Sequence, residues 1–161
     1  MSRGSSLPRG RSGNRDIWIV NVVGGDPKQV TVDTTQDFAP LFSPDGQWIY
    51  FTSDKARDFH IWRVPADGGE PERVTQSLGF TARFSPDGKI LYFTEWPSSA
   101  GNVWAKSLKD GREYPVTDLA GRPGELGWDM DTGGEYLYFT WWDEIGDIWV
   151  MDVAPVEDAT K

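Results

Sequence analysis

Short apolar segments separated by turn-forming residues recur along the chain. The segment Gln47–Ser53 and its copy Lys89–Glu95 are rich in aromatic and β-branched residues and carry apolar side chains on both faces, which is typical of a strand that is covered on both sides. Polar loops lead from them to two further apolar segments, His60–Val64 and Asn102–Leu108. No stretch shows a 3.6-residue apolar period, so we predict an all-β chain with almost no helix.

These segments belong to an internal repeat. A polar residue followed by Ile-Trp or Val-Trp occurs four times, and an aromatic-Ser-Pro-Asp-Gly turn occurs at Phe42–Gly46 and Phe84–Gly88. In that turn proline presets the backbone angle, serine caps, and glycine accepts left-handed geometry. The repeated tryptophans lie 44, 42 and 45 residues apart, at Trp18, Trp62, Trp104 and Trp149. A period of this length predicts the four-stranded antiparallel blades of a β-propeller.

The predicted strands do not add up to a closed ring. Residues 16–32 supply two strands, residues 38–75 and 80–117 supply four each, and residues 124–152 supply three. We therefore expect about three blades, whereas closed propellers typically have four to eight. The predicted domain boundaries are a basic, disordered N-terminal tail over 1–15, blades over 16–153 and a C-terminal tail over 154–161.

Two interpretations of the missing blades stay open. The chain is either a fragment or truncated copy that folds as an open partial propeller, or two or more chains complete one ring. A two-chain, six-bladed ring carries one strand too many at each junction, which favours the first interpretation. In both cases unpaired strand edges and apolar blade faces favour self-association.

The repeat resembles that of TolB-type, WD-like propellers. The shared features are the aromatic-Ser-Pro-Asp-Gly turn, the Tyr-Phe-rich second strand, the Asp-Ile-Trp third strand and a Gly-Gly-Glu-Pro-x-x-Val-Thr ending, present at Gly68–Thr75 and more loosely at Gly24–Thr31. The resemblance covers about residues 11–153 and implies a propeller. Such repeats occur in the periplasmic TolB protein of the Tol-Pal envelope system, in propellers that gate serine peptidases and in many uncharacterised bacterial proteins.

Composition excludes several classes of function. The net charge is −9, although residues 1–15 contain four arginines and no acidic residue. An acidic body argues against a nucleic-acid partner, and no apolar run approaches the roughly 20 residues needed to span a bilayer. No apolar segment follows the basic N-terminus, so the chain as written has no export signal. The resemblance implies a periplasmic protein if the N-terminus is truncated and a cytoplasmic one otherwise.

No catalytic machinery is recognisable. Cysteine is absent, which removes thiolate metal sites and cysteine nucleophiles. His60 is the single histidine and occupies the repeat position held elsewhere by Asp16, Asn102 and Asp147, so we interpret it as a polar residue at the start of a strand. We predict a protein that is not an enzyme and has no cofactor.

A weak calcium candidate lies in a degenerate third copy of the turn. Trp128–Gly134 aligns with the Ser-Pro-Asp-Gly turns but contains two inserted residues, and Asp129 and Asp131 alternate there with Glu135 nearby. The twelve-residue calcium-loop pattern is incomplete. A lengthened ordinary turn is the preferred interpretation.

The predicted function is non-enzymatic binding of a protein or peptide at the propeller mouth. The resemblance implies that loops between blades line this mouth, and Phe38, Phe80 and Arg122 are the preferred contacts. Trp141 and Trp142 are expected to follow the second strand as an exposed aromatic pair that anchors a partner or stacks on sugar. The alternatives are a detached propeller of a larger enzyme, such as a prolyl-oligopeptidase-type serine peptidase, and a sugar- or calcium-binding lectin-like module.

Overall fold

A computed structural model describes residues 13–95 and 101–143, and the backbone of 148–152. Thirteen β-strands and no helix occur in these ranges. The strands are β1 (Trp18–Ile19), β2 (Lys28–Gln29), β3 (Asp37–Phe42), β4 (Trp48–Ser53), β5 (His60–Pro65), β6 (Glu72–Arg73), β7 (Ala82–Phe84), β8 (Ile90–Thr94), β9 (Val103–Ser107), β10 (Glu113–Pro115), β11 (Glu125–Thr132), β12 (Tyr136–Trp142) and β13 (Ile148–Asp152). In this part of the chain there is accordingly no helix long and apolar enough to cross a membrane.

The strands form four antiparallel sheets in two compact units. The first unit, residues 1–76, contains the two-stranded sheet β1-β2 and the four-stranded sheet β3-β4-β5-β6. The second unit, residues 77–161, contains the four-stranded sheet formed by β7 to β10 and the three-stranded sheet β11-β12-β13. Every strand pairs with its neighbour in sequence, so each sheet is a meander and the order of strands follows directly from short hairpin connections.

The Ser-Pro-Asp-Gly turn is built in the same way in both four-stranded sheets. The Ser85 hydroxyl donates to Asp87 (2.7 Å) and accepts from the backbone N–H of Ile90 (3.0 Å), while the backbone N–H of Lys89 also donates to Asp87 (3.1 Å). Gly88 has φ 71°, a left-handed conformation that favours glycine. These donors, the Ser85 hydroxyl first, lower the pKa of Asp87 to about 2. The equivalent turn at 43–48 repeats the three hydrogen bonds at 2.5, 3.0 and 3.0 Å.

A buried threonine closes each of the first three blades. Thr31, Thr75 and Thr117 accept, through Oγ1, a hydrogen bond from a backbone N–H at or next to the start of the third strand, at 2.9, 3.1 and 2.9 Å. A hydroxyl can satisfy a buried backbone donor where the fourth strand leaves the ladder. The Val-Thr ending of the repeat therefore has a structural role.

Each unit has its own apolar core. In the first unit Ile17 and Val30 pack with Ile49, Phe51 and Val64. In the second unit the alternate residues Leu137, Phe139 and Trp141 of β12 belong to one buried cluster with side chains of the preceding sheet, among them Tyr92, Val103 and Ala105. Strand periodicity places every second residue of β12 on this face, whereas Tyr136, Tyr138 and Trp142 on the other face are exposed.

The predicted fold class is confirmed. The chain is all-β, and its antiparallel sheets correspond to about three four-stranded blades. The sheets contain two, four, four and three strands in chain order, as predicted. The four strands predicted with individual bounds, over 47–53, 60–64, 89–95 and 102–108, agree with those observed to within one residue. The predicted tails lie outside the described residues, apart from residues 13–15.

Candidate functional site

Strand β11 carries a larger irregularity than strand β3, in which two residues lie opposite Phe51. Leu126 pairs with Trp141 and Met130 with Phe139, so three residues of β11 lie opposite the single residue Thr140. The equivalent strand β7 pairs with β8 continuously. Two extra residues in one strand form a bulge, which redirects side chains and is frequent beside functional sites. Trp128 and Asp129, which the sequence assigned to the turn, therefore lie within the strand.

This placement corrects the interpretation of 128–134 as a lengthened turn. Thr132 pairs with Leu137, just as Phe84 pairs with Leu91, so Thr132 occupies the place of the aromatic residue before the turn. Trp128 lies four residues earlier, inside the bulge. The alignment of Trp128 with Phe84 was wrong because the hydrogen-bonded register puts Thr132, and not Trp128, in the place of Phe84.

The bulge brings Trp128 against a predicted contact residue. The ring centroids of Trp128 and Phe80 are 6.0 Å apart with an interplanar angle of 46°, and Trp128 keeps 60% of its surface exposed. Phe80 is held by its backbone N–H, which donates to the carbonyl oxygen of Thr94 (2.9 Å). The two rings come from neighbouring sheets of the second unit; Phe80 is partly buried, and the exposed Trp128 ring beside it is of the kind that anchors ligands.

A charged cleft lies beside the bulge. Its volume is about 360 Å³, and its lining residues are Arg83, Asp129, Met130, Asp131, Tyr138, Phe139 and Thr140. The Arg83 guanidinium donates to the carbonyl oxygen of Ala82 (2.8 Å), and it forms no ion pair with a carboxylate of the described residues. Asp131 accepts a hydrogen bond from the backbone N–H of Thr132 (2.9 Å). One cleft thus presents a guanidinium and two carboxylates that do not neutralise one another.

The other predicted mouth residues have different surroundings. Phe38 belongs to the first unit, is partly buried, and packs edge-to-face on Phe59 at 5.5 Å, with Arg15 5.9 Å from its ring. Arg122 is exposed on a turn, and its backbone N–H donates to the carbonyl oxygen of Leu119 (3.1 Å). Their role in binding stays a prediction.

The predicted exposed pair Trp141 and Trp142 is half wrong. Both residues lie in β12 and not after it, and since successive side chains of a strand point to opposite faces, only one of them reaches solvent. Trp141 is 6% exposed and its Nε1 donates to the carbonyl oxygen of Pro123 (3.2 Å), whereas Trp142 is 66% exposed. Trp141 is a core residue, and Trp142 alone remains available as a surface contact.

The calcium candidate of the sequence does not form a loop. Asp129 and Asp131 lie in β11, on one face, and Glu135 is exposed in the following turn. Among the described residues there is no group of three or more His, Cys, Asp or Glu side chains that could hold a metal ion. The carboxylates of β11 are therefore assigned to the charged cleft.

His60 is where the repeat predicts it. It is the first residue of β5, pairs with Ser53, and is buried. The residues that sequence reasoning missed are Trp128, as an exposed ring, and Arg83. The only signal for them was the two-residue insertion, and it became informative once its place in the strand was known.

Antiparallel sheets that repeat every 42 to 45 residues, joined by the same turn, define a β-propeller repeat protein. The sequence profile of the TolB beta propeller domain family matches residues 6–126, and the chain belongs to this family. The resemblance inferred from the turn and the Gly-Gly-Glu-Pro-x-x-Val-Thr ending is thereby confirmed.

Similar proteins extend the comparison. The uncharacterized protein Atu1656 of Agrobacterium fabrum is 39% identical over 62 residues, which cover 38% of this chain and 21% of that protein. A structure from Agrobacterium tumefaciens assigned as TolB has a TM-score of 0.71 at 21% identity, covering 87% of this chain and 52% of its own. A puromycin-hydrolyzing peptidase of Mycobacterium tuberculosis has a TM-score of 0.64 at 14% identity, covering 84% and 22%. This chain thus spans about a fifth of the curated relative and half of the TolB structure.

Proposed function

We propose that this chain is a non-enzymatic module that binds a protein or peptide at the Phe80–Trp128 pair and the adjoining charged cleft. The observation that carries the proposal is the exposed Trp128 ring, which the bulge in β11 places beside Phe80. An exposed indole next to a second aromatic ring offers a large apolar contact at a small cost in conformational entropy. Propellers of the TolB type generally mediate protein interactions, which supports the same assignment.

The cleft supplies the polar half of the site. Arg83 can donate several hydrogen bonds to a carboxylate or to peptide carbonyl groups. Asp129 and Asp131 can accept from peptide N–H groups or from a basic side chain. A peptide segment that lays an apolar side chain on Trp128 and its backbone along the cleft would use all of these groups.

The test is selection of binders from a phage-displayed library of random peptides, followed by measurement of affinity for the selected peptides. Trp128→Ala and Arg83→Gln are expected to weaken binding by roughly tenfold or more, equivalent to more than about 1.4 kcal/mol each. Trp142→Ala is the matched control, because it also removes an exposed tryptophan of the same sheet. Equal loss in Trp142→Ala and Trp128→Ala would remove the bulge from the binding site.

The alternative is a propeller portion of a larger enzyme. It is supported only by the fold that this chain shares with the mycobacterial peptidase. Incubation of the selected peptides with the chain, followed by mass spectrometry, separates the two functions: the proposal expects intact peptides, and cleavage or other conversion would contradict it. Selection of no peptide, together with binding to a glycan array, would instead support the sugar-binding alternative.

A further inference from the structure

A network of polar side chains occupies one end of the first unit. The Asn14 side-chain amide donates to Asp16 Oδ1 (2.9 Å) and to the backbone carbonyl of Asp33 (2.5 Å). The Thr35 hydroxyl contacts Asp33 Oδ1 and Asp37 Oδ1. Three carboxylates, Asp16, Asp33 and Asp37, are thereby collected around one amide and one hydroxyl.

Asp37 is the buried member of this network and is incompletely satisfied. Its side chain is 1% exposed, and its Oδ2 atom has no hydrogen-bond partner. Its Oδ1 lies 3.1 Å from the Thr35 hydroxyl, but that hydroxyl has a single proton and Asp33 competes for it. Lys55 forms its ion pair with Asp33, and no ion pair to Asp37 occurs among the described residues. A buried carboxylate without a counter-charge is strongly disfavoured.

Asn14 contributes a second buried oxygen without a partner. Its Oδ1 atom is inaccessible to solvent and accepts no hydrogen bond. The orientation of the amide is determined by the network, since both partners of Nδ2 are acceptors. Asp37 lies beside this residue, because its backbone N–H donates to the carbonyl oxygen of Arg15 (2.8 Å). The two unsatisfied oxygens therefore belong to chain segments that are hydrogen-bonded to each other.

The surrounding potential is negative. Asp16, Asp33 and Asp37 lie together around the Asn14 amide and the Thr35 hydroxyl. Three carboxylates and one ammonium group leave an excess of negative charge that a cation would relieve. Among the described residues, the ion pair of this network is the one between Lys55 and Asp33.

The repeat supplies an internal control for the role of these carboxylates. Counted from the buried threonine of each blade, Asp33 corresponds to Ser77 and Leu119, and Asp16 corresponds to His60 and Asn102. At the Asn102 position the neutral amide oxygen accepts from Thr117 Oγ1 (3.0 Å) and from the backbone N–H of Leu119 (2.9 Å). A neutral amide can thus serve at this position, although the fourth copy has Asp147 there and Asp16 itself accepts from Gln29 (3.0 Å).

We propose that the first unit binds a calcium ion, with Asp37 Oδ2 and Asn14 Oδ1 as protein ligands and water completing the shell. All the ligand atoms available here are oxygens, which suit hard cations. Calcium accepts irregular coordination by carboxylate, amide and water oxygens, whereas magnesium demands near-octahedral coordination. Asp16 and Asp33 contribute charge and hold the ligands in place. Such a site contains a single acidic ligand. It is therefore compatible with the absence, among the described residues, of any group of three or more His, Cys, Asp or Glu side chains that could hold a metal ion.

The experiment measures calcium binding by the full chain after treatment with EDTA. Titration calorimetry and thermal unfolding are carried out with Ca²⁺, and with Mg²⁺ as the comparison ion. For a dissociation constant near 0.1 mM, about 10 mM Ca²⁺ is expected to raise the unfolding midpoint by roughly 5–10 °C, and Mg²⁺ by clearly less. Asp37→Asn is expected to abolish the shift, and Asn14→Ala to weaken binding at least tenfold.

Two further variants separate a ligand from a merely structural residue. Asp131→Asn, at the calcium candidate suggested by sequence, is expected to keep the full shift. Asp37→Asn in calcium-free buffer is expected to be at least as stable as the parent chain, because it removes a buried charge. If Asp37→Asn does not fold, Asn14→Ala decides. Absence of binding heat and of any midpoint shift, or an unchanged shift in the Asp37 and Asn14 variants, would overturn the proposal.

Discussion

Alanine substitution of two adjacent tryptophans separates core from surface within one strand. Trp141 is 6% exposed and packs in the core of the second unit, whereas Trp142 is 66% exposed. Truncating a buried tryptophan to alanine costs about 3–5 kcal/mol through lost burial and the cavity that remains. The lost hydrogen bond to Pro123 adds little, because Pro123 is exposed and its carbonyl can bond to water. Trp142→Ala is expected to change stability by less than about 1 kcal/mol.

Urea unfolding monitored by far-UV circular dichroism is the appropriate assay. The chain has nine tryptophans, and each variant removes one, so the fluorescence signal changes for reasons unrelated to stability. With a slope of about 2 kcal/mol per molar urea, Trp141→Ala should lower the midpoint by roughly 1.5–2.5 M and Trp142→Ala by less than about 0.5 M. The two compact units make a check for a single transition necessary before free energies are compared.

Two results would refute this reasoning. Equal destabilisation by the two substitutions would show that β12 is buried on both faces at its end. A negligible effect of Trp141→Ala would restore the exposed aromatic pair that the sequence predicted. Either result would also change the register of β12 on which the position of the bulge depends.

Three further substitutions test local features of the blades. Thr75→Val is expected to cost about 1–3 kcal/mol because a buried backbone N–H loses its acceptor, while Thr34→Val, at an exposed site, should be neutral in the same urea titration. Gly124→Ala should cost more than about 2 kcal/mol, since a Cβ there would lie 2.4 Å from the buried indole nitrogen; Gly121→Ala, with free space around it, should cost only about 1 kcal/mol for its positive φ, and the reverse order would contradict the packing. Since its folded-state pKa lies near 2, Asp87 stabilises the fold above its unfolded pKa near 4 and loses that contribution as the pH falls towards 2. Asp87→Asn should therefore show a shallower fall in melting temperature between pH 4 and 2 than the parent chain, and identical profiles would contradict the turn's role.

The blade architecture was predictable because its signals are local and repeated. The Ser-Pro-Asp-Gly turn is closed by hydrogen bonds among residues 85–90 alone, so the same letters give the same geometry in each copy. Strands on either side of such a turn pair as neighbours, and their order follows. The repeat also identified His60 correctly as the start of a strand.

The candidate site was only partly predictable. Phe80 was named from the sequence, but Trp128 joined it only through the bulge in β11, and Arg83 lies on a different sheet from the carboxylates it accompanies. Comparison of the repeats shows that the copy at 128–134 is two residues longer than the Ser-Pro-Asp-Gly turns. The comparison does not show which of these residues lie in the strand and which in the turn, because that depends on the strand pairing that leaves the fewest backbone groups unsatisfied.

By itself the sequence determined the all-β class, the four-stranded blade and the number of strands, since these depend on turn chemistry and on the period of apolar residues. Tertiary structure alone decided which of Trp141 and Trp142 is buried, where the insertion lies, and that Asn14 and Asp37 come together as unsatisfied oxygens. The physical reason is the same in each case. Local preferences act over a few residues, whereas burial and hydrogen-bond satisfaction are settled between strands that are distant in the chain.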